Sequence, residues 1–142
     1  MGTRKKDRIK MKNIREVISE STYGFRIPSY KEIVNTFANI LIQVDDNDYQ
    51  GDSRLFLITE FGKLGHLQFG WGSCSGCDAL QACNTIEDLE ELQTTIFKSV
   101  KWFNTKADAL EYFEKHDWEG DYSYSSAEQK TYIEKVLNML RS

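Results

Sequence analysis

One fifteen-residue stretch limits what this chain can become. Phe69-Gly-Trp-Gly-Ser-Cys-Ser-Gly-Cys-Asp-Ala-Leu-Gln-Ala-Cys83 carries all three cysteines of the 142 residues. Cys74 and Cys77 are spaced C-x-x-C, and Cys83 follows after five residues. Gly70, Gly72 and Gly76 let the backbone approach a bound atom closely. Thiolates at this spacing can converge on one tetrahedral zinc ion, with Zn–S near ~2.3 Å. The stretch therefore reads as a cysteine-rich zinc knuckle. An odd cysteine count does not suit a secreted disulfide scaffold, and no apolar run follows the basic N-terminus. No signal peptide or membrane span is expected, and a reducing, cytoplasmic setting fits best.

Cys74, Cys77 and Cys83 supply three ligands, and a structural zinc site needs a fourth. His116 is the preferred candidate, because Asp117 beside it can orient its second ring nitrogen. His66, on a strand leading into the knuckle, and Asp78, next to Cys77, are the alternatives. Cys83 can also be read as a buried core cysteine with no ligand role. A thiol redox or sensor function of Cys74 and Cys77 is a further reading. Against it, no helix pattern opens at the C-x-x-C, and Pro28, the only proline, lies upstream.

Around the knuckle the chain reads as alternating helices and short strands. Apolar positions at Ile9, Ile14, Val17 and Ile18 predict a helix over residues 9–20. Ser29 with Glu32 forms a capping box, and Ile33, Val34, Phe37, Ile40 and Leu41 predict a helix running to about residue 41. Residues 54–60 and 66–71 read as a hairpin that delivers the chain into the knuckle. Thr85 with Asp88, Thr105 with Asp108, and Ser125 with Glu128 cap three further helices, and residues 100–103 form a short strand between the first two. The expectation is one α+β domain over residues 1–142. Its small, mainly antiparallel sheet is packed with helices, and residues 1–8 form a mobile basic arm.

Charge is unevenly distributed. Residues 1–15 carry seven basic side chains and one acid, a net of +6; with -4 for the whole chain, the remainder carries -10. Direct nucleic-acid binding is not expected of such an acidic body, although a basic arm touching nucleic acid would suit a small regulatory module. Two acidic segments stand out. The first, with Asp45, Asp46, Asp48 and Asp52, lacks the terminal bidentate Glu of an EF-hand, since Leu57 stands there, and reads as a solvated loop. The second places Asp117, Glu119 and Asp121 among aromatic residues. Both are candidate partner-binding surfaces, with Trp118 as an anchor. No phosphate loop, nucleophile elbow or H-E-x-x-H motif occurs, and no enzymatic activity is expected.

The run from Gly70 to Cys83 resembles a family of small proteins of bacteria, phages and prophages. More loosely the resemblance extends from Tyr49-Gln-Gly-Asp52 through Lys101-Trp-Phe103 and Ala109-Leu-Glu-Tyr-Phe113 to His116-Asp-Trp-Glu-Gly120. The chain is similar to zinc-containing anti-CRISPR proteins of phage origin. That resemblance implies a metal-binding phage protein acting in the host cytoplasm. It would inhibit the RNA-guided nuclease of a type II CRISPR system by protein–protein contact.

Overall fold

A computed structural model describes residues 9–18, 20–21, 24–25, 28–46, 51–71, 79–118 and 126–142. In chain order the elements are α1 (Ile14–Val17), β1 (Glu20–Ser21), β2 (Gly24–Phe25), α2 (Tyr30–Val34), β3 (Asn39–Asp45), β4 (Gly51–Ile58) and β5 (Leu64–Trp71). They are followed by α3 (Ile86–Ser99), β6 (Lys101–Phe103), α4 (Lys106–Lys115) and α5 (Ser126–Arg141). Residues 1–8 lie outside the described residues. No helix among the described residues is long and apolar enough to cross a membrane.

The α+β expectation is met. A four-stranded sheet, ordered β3-β4-β5-β6, is antiparallel throughout, and β1 and β2 form a separate two-stranded ribbon. The β4–β5 hairpin turns at Gly62, whose φ of 88° falls in the left-handed region that glycine enters without a Cβ penalty. The α3 and α4 starts are where the caps place them: Thr85 accepts from the Asp88 N–H, and Thr105 from the Asp108 N–H. The cap expected at Ser125 lies outside the described residues.

Strand alternation sends two apolar sets to opposite faces. Leu55, Leu57 and Leu67 face one way and pack with Ile14, Ile33, Val34, Leu89 and Ile96 of α1, α2 and α3. Phe56 and Phe103 face the other way and pack with Ala109, Phe113, Tyr132, Val136 and Leu140 of α4 and α5. The result is three layers, helix–sheet–helix, with a core on each side of the sheet. Gly65 permits the close crossing of β6: a Cβ there would lie 2.8 Å from the Trp102 ring and from Val100 Cγ1.

Two predicted helices are corrected. The first spans only Ile14–Val17, and the second stops at Val34. Residues 39–41, read as the end of that helix, begin β3 instead. The stripe of Ile33, Val34, Phe37, Ile40 and Leu41 fits a helical period, but Ile40, Ile42 and Val44 are β-branched and find partners on β4. A bulge between Ile40 and Ile42 turns Ile40 to the α3 side and Ile42 to the α5 side, and leaves Leu41 43% exposed on the sheet edge.

Candidate functional site

The cysteine stretch connects the end of β5 to the start of α3. Trp71, the last residue of β5, pairs with Gly51 of β4, and the chain re-enters the described region at Ala79. Cys74, Cys77 and Asp78 lie outside the described residues. From Ala79 onward the stretch is tied to the body. The Leu80 N–H donates to the Tyr30 hydroxyl at 3.0 Å, and the Tyr30 ring lies 4.7 Å from that of Phe69 on β5. Cys83 is 6% exposed and belongs to the α3-side core, where its thiol donates to the Ala79 carbonyl at 3.4 Å. Asp88 and Glu91 of α3 line the same shallow groove as Cys83. The Asn84 N–H first, and then the Thr85 hydroxyl and N–H, hold the Asp88 carboxyl below its ordinary range against the opposing effect of burial.

Neither histidine joins Cys83. His116 caps the C-terminus of α4 and stacks on Tyr112, with ring centroids 4.7 Å apart. His66 points from β5 into the same α4–α5 side, among Phe113, Trp118 and Tyr132. Two ligands of one zinc ion lie within about 4.6 Å of each other, twice the Zn–S distance of ~2.3 Å. Cys83 lies on one face of the sheet and both rings lie on the other, so neither histidine completes a site with Cys83. The expectation for His116, and its alternative His66, is corrected on this ground. Among the described residues no three His, Cys, Asp or Glu side chains converge to hold an ion, so a site built on Cys83 depends on Cys74 and Cys77.

His66 has a structural assignment instead. Tyr132, fully buried, donates its hydroxyl hydrogen to the Leu55 carbonyl at 2.8 Å. A hydroxyl has one hydrogen, so the 2.6 Å contact with His66 Nδ1 has the imidazole N–H donating. Burial holds the Tyr132 phenol well above its ordinary range, so it stays a neutral donor. The pair fastens α5 to the two central strands.

The first acidic segment is also corrected in part. Asp46 and Asp52 are each 5% exposed, not solvated. Asp46 Oδ1 accepts from Arg54 Nη1 at 2.8 Å, and its Oδ2 accepts from the Asp52 N–H at 2.9 Å. Arg54 has no exposed surface, and among the described residues its Nε and Nη2 have no hydrogen-bond partner. Buried charges persist when paired, and this pair ties the end of β3 to β4 from inside. Asp46 and Asp52 are therefore not partner contacts. Asp45 is exposed, and Asp48 lies outside the described residues. Of the second segment, Asp117 is exposed, while Glu119 and Asp121 lie outside the described residues. Trp118 is half-buried, donates Nε1–H to the Phe113 carbonyl at 3.2 Å and packs on His66 and Phe113, so it anchors the molecule's own aromatic cluster. A clue to the buried pair was present in the sequence: strand alternation puts Arg54 on the same face as Phe56, an inward position for a charge.

No protein family, no curated protein and no solved structure matches the chain.

Proposed function

We propose that this chain is a zinc-stabilised binding protein of phage origin that acts without turnover, in the host cytoplasm. Its partner would be the RNA-guided nuclease of a type II CRISPR system. The observation that carries the binding reading is the placement of acidic charge. With Asp46 and Asp52 turned inward, exposed acids among the described residues include Asp45 and Asp117, Glu87 and Glu91 on α3, and Asp108, Glu111 and Glu114 on α4, of which Glu87, Glu111 and Glu114 pair at the surface with Arg15, Lys115 and Arg141. Basic surfaces that grip nucleic acid are complementary to such faces, and the attraction speeds encounter.

The zinc reading rests on the donor chemistry of Cys74, Cys77 and Cys83. Cys83 already stands at the foot of α3 within the core, so an ion held there would pin the sheet to that helix, a structural role. With the histidines on the far face, the α3 carboxylates of Asp88 and Glu91, which line the groove beside Cys83, are oxygen donors among the described residues, and Asp78 remains the sequence candidate.

The test titrates the protein against a type II nuclease–guide complex and follows target cleavage. Inhibition should saturate at a fixed molar ratio and weaken when Glu111 and Glu114 are reversed to Lys. Untouched cleavage at large excess would remove the nuclease from the proposal. Inhibition that grows with time at substoichiometric protein would instead mark an enzyme.

A further inference from the structure

The two edges of the four-stranded sheet are unequal. β6 is three residues long, and a short edge is a guarded one. β3 offers seven residues, Asn39-Ile-Leu-Ile-Gln-Val-Asp45, with no lysine, arginine or proline among them. Its inner side is paired with β4. The Asp46 N–H donates to the Asp52 carbonyl at 3.1 Å, so alternation turns the backbone groups of Ile42 and Val44 toward β4 and those of Gln43 and Asp45 outward. Among the described residues no backbone group bonds to that outer side. Ile40, Ile42 and Val44 stay half-buried, and Leu41, at 43%, is the most exposed large apolar side chain among the described residues. The bulge blunts the strand before Ile42, so the open, regular part of the edge is centred beyond it.

We infer that β3 is a self-pairing edge: two copies of this chain join antiparallel about a two-fold axis at Gln43, and their sheets become one of eight strands. The strand's own pattern names the occupant. With Gln43 opposite its image, Ile42 lies against Val44 of the second copy and Leu41 against its Asp45. Ile42 and Val44 both face the α5 side, so β-branched side chains meet across the seam. Gln43 and its image turn the same outward groups to each other and exchange two backbone hydrogen bonds. Asp45 is the strand's only charge, and this axis sets its two copies at opposite ends. Gln43 Nε2 already holds that carboxylate at 2.9 Å, so the edge offers a foreign strand no free charge to recognise. Association stops at two, because the contact uses the same edge in both copies and leaves only the three-residue β6 outermost. A strand-sized contact falls below the roughly 1,200 Å² of stable interfaces, so the dimer is weak, with a Kd of about 10–100 µM. Neither the metal nor the nuclease enters this inference.

Sedimentation velocity of the full chain from about 5 µM to about 500 µM should follow monomer into dimer. Amide exchange locates the seam: the Gln43 N–H should be protected at the high concentration alone, whereas those of Ile42 and Val44, turned to β4, should be protected throughout. Gln43→Pro removes an outward N–H and spares the β3–β4 ladder, a position where an edge strand tolerates proline. It should stay monomeric at about 500 µM with unchanged circular dichroism. Should it unfold, Gln43→Lys sets two like charges on the axis and should weaken the dimer at least about tenfold. The inference is overturned if the parent is monomeric at about 500 µM, if a folded Gln43 variant dimerises as the parent does, or if assemblies larger than a dimer form. It also fails if a scrambled peptide of residues 39–45 protects the Gln43 N–H as well as the peptide in native order, which would give the edge to a foreign strand.

Discussion

Asp46→Asn isolates the energetics of the buried ion pair. Arg54 is wholly buried and, among the described residues, makes its charge-assisted bond to Asp46 at 2.8 Å. The substitution keeps an oxygen for the Asp52 N–H but strips the guanidinium of its counter-charge. Leaving a buried charge unpaired costs about 3–5 kcal/mol. Against a typical domain stability of about 5–15 kcal/mol this is a large share. At about 2–4 °C per kcal/mol for a chain of this size, the melting temperature should fall by roughly 6–20 °C. Arg54→Met leaves Asp46 buried without its cation and should also destabilise strongly. The double variant removes both charges, so it should return to within about 2 kcal/mol of the parent, because replacing both members of a buried pair is often near neutral. Urea unfolding followed by far-UV circular dichroism, with an unchanged m-value, gives the four corners of the cycle. A loss under about 1 kcal/mol for Asp46→Asn, or a double variant as unstable as the two singles summed, would refute the argument.

Other expectations follow from the same geometry. Asp52, raised by its burial and by the Asp46 charge and lowered in part by Arg54, holds its proton more tightly folded than unfolded. Its contribution to stability is therefore present in acid and is lost as pH rises from the ordinary aspartate range through the folded value. Asp52→Asn should flatten that slope and raise the melting temperature at neutral pH; an unchanged pH profile would contradict it. Tyr132→Phe removes the donor to Leu55 and the acceptor for His66, and should cost about 1–3 kcal/mol in chemical denaturation. Gly65→Ala drives a methyl to 2.8 Å from Trp102 and Val100, and the overpacking should cost about 1–3 kcal/mol, measured in the same way. Native mass spectrometry should find about one zinc per chain. Cys77→Ser should lose metal and thermal stability together, while His116→Ala should keep the metal; metal loss in His116→Ala would restore the histidine as a ligand.

Local chemistry was legible in the sequence because its causes lie within a few residues. The capping side chains of Ser29, Thr85 and Thr105 act on N–H groups three positions on, so these helix starts follow from composition alone. The β4–β5 hairpin was legible for a similar reason, its turn being built around Gly62. The acidic balance of the body, and the clustering of all the cysteines in one stretch, are likewise properties of the chain before it folds. What the sequence left open depends on partners distant along the chain. The stretch from Asn39 to Asp45 became a strand because β4 offered a pairing edge that helical spacing could not reveal. Asp46 became an internal counter-ion because Arg54 on the adjoining strand faces inward and needs one. The separation of His116 from Cys83 was decided by β6: the chain packs α3 on one face of the sheet, passes through its edge strand, and packs α4 on the other. Residue spacing carries no record of which side of a sheet a helix will cover, because that choice is made by burying two apolar faces at once.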